Sequence, residues 1–183
     1  MELFAVIDTE TNWFDRVMSV GTVIADAGSF ELVSARYHIF PDACALGGMY
    51  EGALFLNTPV RPILCSREEG LEELERWLNG YGVVDIFAYN ARFDCAHLPE
   101  LSGMQWYDIM RLAAYRQYNP AIPPSADCCS TGRLKRNYGV EAMLRLLSDD
   151  PGYCETHNAL FDAMDELEIM HLMGISPTQY IPL

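Results

Sequence analysis

Positive charge is scarce in this sequence. Of its 183 residues only Lys135 is a lysine, and twelve lysines and arginines face twenty-six aspartates and glutamates, for a formal net charge of −14. Such a chain repels a polyanion at long range, which argues against a broad duplex-binding surface. Screening confines exposed charges to a reach of about 8 Å at physiological salt, so the field inside a cleft can still differ from the total. From Arg111 to Arg145 the balance reverses: Arg111, Arg116, Arg133, Lys135, Arg136 and Arg145 outnumber Asp127 and Glu141 by four. Those cations suit a short stretch of phosphates, although any single one of them reads sooner as a solvated helix residue.

A C-x-x-C pair, a long apolar run and a leader-like start are also missing. The six cysteines, Cys44, Cys65, Cys95, Cys128, Cys129 and Cys154, are scattered, and reduced thiols are expected in a chain too long for a disulfide scaffold. Cys128, Cys129, Cys154 and His157 include one zinc-like spacing, but the second half of such a site has no counterpart. No apolar stretch approaches the ~20 residues of a membrane span. Met1-Glu2-Leu3 lacks a basic n-region, so the first apolar segment is expected to be a strand, and the protein to be cytoplasmic and free of membranes. The length fits a single domain, 1–183, with a core that needs neither disulfide nor metal.

The apolar run Leu3-Phe4-Ala5-Val6-Ile7 is continuous, which suits a central strand covered on both faces. Val17 to Ala25 and Phe30 to Phe40 read as two more strands, joined by the turn Asp26-Ala27-Gly28-Ser29 into an antiparallel meander. Pro41 to Ser66, with Gly47-Gly48, Pro59 and Pro62, reads as a lid or edge insertion with a short helix near Met49 to Leu56. Helices are expected over Glu68 to Leu78, Ala91 to Leu98, Asp108 to Tyr118, Glu141 to Leu147 and Ala159 to Met173, with a turn of helix near Leu134 to Asn137. Two further strands, Val83 to Tyr89 and Met104 to Tyr107, complete an α/β fold with a mixed five-stranded sheet flanked by helices.

Acidic residues recur where these elements begin and end. Asp8-Thr9-Glu10 closes the first strand, and alone it reads as turn chemistry sooner than as a site. Asp94 enters a helix one turn after the strand that ends at Tyr89-Asn90, where capping is the plain alternative. Asp162, Asp165 and Glu166 share one side of the last helix, opposite the packed side of Leu160, Met164, Leu167 and His171. His157, five residues before Asp162, belongs to the turn before that helix and can lean over the acids. His38, His97 and His171 lack such company and read as structural or surface residues.

Together these motifs resemble the DEDDh subgroup of the DnaQ-like 3′-5′ exonucleases, which have a ribonuclease H-like fold. Asp8-Thr9-Glu10 is similar to the first motif, Asn90-Ala91-Arg92-Phe93-Asp94 to the second, and His157 to Asp162 to the third. Val17 to Thr22 and Trp106 to Ala113 extend the resemblance, which runs from about Leu3 to Met173. Trp13-Phe14, where many relatives have a small turn, and the long Pro41 to Ser66 segment depart from the pattern.

Four converging carboxylates repel by about 4 kcal/mol per close pair at an effective dielectric of 20, so they need cations or protons. An oxygen donor set favours hard ions, and the resemblance implies two of them, Mg2+ or Mn2+. It further implies that Asp8, Glu10 and Asp162 hold the first ion, that Asp8 reaches the second, and that Asp94 acts directly or through water. His157 is suited to be the general base at neutral pH. The implied reaction is hydrolysis of phosphodiester bonds at the 3′ end of single-stranded DNA or RNA, releasing nucleoside 5′-monophosphates. Thr9, Asn12, Trp13 and Asn90 are candidates for gripping the terminal nucleotide, with Trp13 either a stacking platform or a core residue. A homodimer or a polymerase partner is compatible with the resemblance. The alternatives are a noncatalytic nucleic-acid or polymerase-docking module on the same fold, and a metal-dependent phosphatase of the haloacid dehalogenase type. The latter wants a phosphate-binding lysine, and Lys135 has no aspartate pair suitably beyond it.

Overall fold

The continuous apolar run becomes the middle of a sheet. In the computed structural model, which describes residues 2–183, β1 (Leu3–Thr11) pairs antiparallel with β2 (Val17–Asp26), and β2 pairs antiparallel with β3 (Leu32–Ile39). A two-residue strand, β4 (Ile63–Leu64), adds parallel to β3. On the other side of β1, β5 (Asp85–Ala88) and β6 (Gln105–Asp108) follow in parallel, so the order is β4-β3-β2-β1-β5-β6. The sheet therefore has six strands and not five. The extra one is too short, and too close to Pro62, to leave a periodic signal.

Helices cover both faces: α1 (Pro41–Cys44), α2 (Arg67–Gly80), α3 (Arg92–His97), α4 (Met110–Ala113), α5 (Val140–Leu147) and α6 (Ala159–Met173). Alternation along β1 explains why its core residues are all apolar. Phe4 and Val6 pack with Leu160, Ala163 and Leu167 of α6, whereas Ala5 and Ile7 pack with Leu71, Leu74 and Leu78 of α2. Ser66 and Glu69 start α2 with a reciprocal capping box. The helix expected over Asp108 to Tyr118 is only α4. Its downstream backbone finds partners elsewhere: Ala114 O accepts from Leu134 N at 3.0 Å, and Arg116 N donates to Gly132 O at 3.0 Å. The same pairing holds Leu134 in an isolated bridge to Cys128, in place of the expected helical turn.

Gly21 sets the distance between sheet and helix. It lies opposite Asp8 in the β1–β2 register. A Cβ there would fall 2.1 Å from the Ala159 carbonyl carbon and 2.3 Å from Leu160 N, so only glycine lets the start of α6 press on the strand. Gly21→Ala is expected to cost about 1–3 kcal/mol by chemical denaturation, because the obstruction is backbone and cannot swing aside. The same variant should bind divalent cations more weakly by calorimetry, since it moves Asp162 away from Asp8.

The segment 41–66 is tied into this frame at several points. Asn12 Nδ2 donates to Ala43 O at 2.9 Å, Trp13 N to Gly47 O at 3.1 Å, and Tyr37 OH to Leu54 O at 2.9 Å. Its expected helix near Met49 to Leu56 is a single 3-10 turn, Glu51–Ala53. Among the described residues all six cysteines are free, and no helix is long and apolar enough to cross a membrane.

Candidate metal centre

Two residues apart on β1, Asp8 and Glu10 project to the face that α6 covers, and Thr9 projects to the other. The first turn of α6 carries Asp162 to the same place. Glu10, Asp162 and His157 each offer a ligand atom, and these atoms lie within 4.8 Å of one another. His157 stands outside the helix, at φ 54°, two residues before Ala159. Asp94 is buried in the first turn of α3, and its Oδ1 accepts from Thr9 Oγ1 at 2.8 Å. Thr9 therefore orients an acid, a job that leaves its hydroxyl proton engaged.

Electrostatics suit the group to a cation. Asp8 Oδ2 and Asp162 Oδ1 are shut off from solvent and have no hydrogen-bond partner, although a carboxylate oxygen is a strong acceptor. Burial first, and then the charges of Asp94, Asp162, Glu10 and Glu155, hold the Asp8 carboxyl well above its ordinary range. Burial and Glu155 push Asp162 up to about 9, and burial, Glu155 and Asp94 push Glu10 up to about 8. Asp94 is raised by burial against the opposing pull of its Thr9 hydrogen bond. Without a cation Glu10 and Asp162 favour their protonated forms at neutral pH; a divalent ion would supply the missing partner for the orphaned oxygens. The donors are oxygens with one imidazole at the edge, which fits a hard ion. No cysteine belongs to the group.

Two further carboxylates belong to this neighbourhood and do not figure in the sequence motifs. Glu166, one helical turn beyond Asp162, is 1% exposed, and its Oε2 accepts from Tyr89 N at 3.0 Å. Burial, then Asp8 and Asp94, raise it well above its usual range. The i, i+4 spacing from Asp162 is the signal that places it on the same side of the helix. Glu155, two residues before His157, is half-buried and is the leading charge acting on both Asp162 and Glu10.

Of the residues expected to grip a nucleotide, Trp13 is 64% exposed and so is no core residue. With Thr9, Glu10, Asn12, Met49, Tyr50 and Phe93 it lines a cavity of about 340 Å³ beside the acids. Asn12 builds the turn under that cavity, its Oδ1 accepting from Phe14 N at 2.9 Å and Arg16 N at 3.0 Å. Asn90 is exposed at φ 61°, and its backbone N donates to Asp108 Oδ1 at 3.0 Å. It lines a separate hollow with Met110, Arg133 and Tyr138. Much of the basic segment is engaged locally. Lys135 pairs with Asp127 at 2.9 Å and Arg145 with Glu141 at 3.0 Å, while the Arg133 guanidinium lies 4.8 Å from the centre of the Tyr138 ring.

No protein-family model matches the chain, and no curated protein matches it in sequence. Solved structures do match in fold. The nuclease domain of 3′hExo, a DEDDh family member bound to rAMP, aligns over 100% of this chain and 96% of its own, with a TM-score of 0.68 at 12% identity. E. coli Exonuclease I in complex with a dA16 oligonucleotide aligns over 98% of this chain, with a TM-score of 0.59 at 13% identity. Exonuclease I from Methylocaldum szegediense aligns over 98%, with a TM-score of 0.61 at 15% identity. The chain spans 42% of the length of either Exonuclease I chain. It thus shares the α/β fold of the 3′hExo nuclease domain, a DEDDh family member, along its length.

Proposed function

We propose that the protein is a metal-dependent 3′-5′ exonuclease of the DEDDh type, acting on the 3′ end of single-stranded DNA or RNA and releasing nucleoside 5′-monophosphates. The observation that carries this reading is the meeting of Glu10, His157 and Asp162, with the charges of Asp94, Asp162 and Glu10 acting on the buried Asp8 and with buried carboxylate oxygens that lack partners. Support for the substrate class comes from 3′hExo with its bound rAMP and from Exonuclease I with its bound oligonucleotide.

Asp8, Glu10, Asp94 and Asp162 would hold two divalent ions, Mg2+ or Mn2+. When bound, such ions activate water and offset the charge that develops on the phosphodiester oxygens. Thr9 fixes the Asp94 carboxyl at the edge of β1 through its 2.8 Å hydrogen bond. His157 takes the proton of the attacking water on its imidazole, from a position within reach of Glu10 and Asp162. The exposed Trp13 indole and the Phe93 ring beside the cavity offer faces on which the terminal base can stack, a sequence-tolerant contact. Asn90, in its hollow with Arg133 and Tyr138, would add a polar contact to the bound nucleotide.

The test is to incubate 5′-labelled single-stranded DNA and RNA with the protein and Mn2+, with a chelator control. A ladder that shortens from the 3′ end, abolished by chelator, is expected. Internal cleavage, release of inorganic phosphate from a monoester, or absence of metal-dependent turnover by a folded protein would contradict the reading.

A further inference from the structure

The imidazole of His157 is stacked on an aromatic ring from the segment 41–66. Tyr50 lies against it with ring centroids 3.9 Å apart and planes inclined by 18°. His38, His97 and His171 each have a hydrogen-bond partner for a ring nitrogen, whereas among the described residues no hydrogen bond orients the ring of His157. The stack supplies that orientation. It covers one π-face and leaves both ring nitrogens, whose lone pairs and N–H bonds lie in the ring plane, free at the edge.

Both rings are referenced to the same anchor. Asn158, adjacent to His157, caps α6 by accepting from Leu160 N at 3.2 Å. Its Nδ2 donates to Ala53 O at 2.7 Å and to Tyr37 OH at 3.0 Å, while Tyr37 OH donates to Leu54 O. Ala53 N in turn donates to Tyr50 O at 2.9 Å. On the near side Gly47 O receives Trp13 N, and a Cβ on Gly48 would lie 2.5 Å from Met18 Cε, so the chain before Tyr50 lies tight against the strands. Burial and then the nearby carboxylates of Glu10, Glu155 and Asp162 raise the phenol above its ordinary value, so the ring that faces the imidazole is neutral.

We infer that Tyr50 is a positioning residue that holds the His157 imidazole over the carboxylate cluster, so that the segment 41–66 helps to set the rate of proton transfer. This rests on the exonuclease reading above. A stacked aromatic pair is worth about 0.5–1.5 kcal/mol, which makes its loss worth up to about tenfold in rate. Because the imidazole acts on the attacking water and does not bind the ground state, the loss belongs to kcat.

The experiment compares wild type, Tyr50→Phe and Tyr50→Leu by steady-state kinetics on a labelled oligonucleotide with Mn2+. It also compares them by NMR of 13C-labelled histidine in the metal-free proteins. Tyr50→Leu should lower kcat by about five- to tenfold with KM within about twofold, and Tyr50→Phe should restore it. The ring protons of His157 should resonate upfield of an unstacked histidine in wild type and Tyr50→Phe, and return to ordinary positions in Tyr50→Leu, with the rest of its spectrum folded. A Tyr50→Leu variant with unchanged kcat, a change confined to KM, or unshifted His157 protons in wild type would overturn the role of Tyr50. Wild-type protein without any turnover would overturn the exonuclease reading itself, and would show before any variant is made.

Discussion

Asp162→Asn is expected to abolish metal-dependent hydrolysis and, in the same protein stripped of metal, to raise the melting temperature. Asparagine has nearly the shape of aspartate but no charge to offer a cation, so loss of at least about a hundredfold in kcat is expected, the scale of removing one electrostatic contact to a transition state. The stability effect has the opposite sign. Asp162 is 3% exposed, and its pKa of about 9 means that the metal-free fold pays for keeping it protonated at neutral pH. A neutral amide removes that penalty. One pKa unit corresponds to about 1.4 kcal/mol, so a gain on the order of a few kcal/mol is available. For a chain of this size that is a rise of roughly 5 °C or more by differential scanning calorimetry. Wild-type activity in Asp162→Asn, or a lower melting temperature, would remove this residue from the cation site.

The metal-free protein should lose stability as pH rises, in contrast to proteins whose acids are paired. Glu10 and Asp162 are raised to about 8 and about 9, and Asp8 and Glu166 are raised in the same direction, so between the ordinary carboxylate range and pH 9 the folded state binds more protons than the unfolded state. Unfolding free energy therefore falls with pH across that window and levels off above it. Divalent ions invert the trend, because they bind the deprotonated acids and bind more tightly as protons leave. The expected result is a melting temperature that declines from pH 5 to pH 9 in chelator and recovers in Mn2+, with the gap widest at the alkaline end. A chelator curve that rises with pH would mean that the acids do not share a buried site.

Some parts of the fold read from local pattern agree with the structure. The continuous run from Leu3 to Ile7 is buried on both faces, and α6 spans Ala159–Met173 because Asn158 caps it and Gly174, at φ 61°, ends it. Spacing also places Asp8 and Glu10 on one strand face and keeps His157 out of the helix. Long-range pairing is what local pattern does not carry. The helix after Asp108 is cut short by backbone partners at Gly132 and Leu134, and β4 exists only through its pairing with β3. Glu166 carries an i, i+4 signal relative to Asp162, yet its burial depends on Tyr89, 77 residues away in sequence. Tyr50 sits in a segment of glycines and prolines without periodicity, so nothing nearby in sequence points to His157, which it meets across the fold.

Calorimetric titration of Mn2+ into the metal-free protein, run at neutral pH in two buffers of different ionisation enthalpy, tests the shared-cation site most directly. The carboxyls that hold protons in the metal-free state must give them up, so saturable uptake accompanied by net proton release is predicted, with both lost in Asp8→Asn. An absence of saturable uptake, or uptake without proton release that survives Asp8→Asn, would contradict the account.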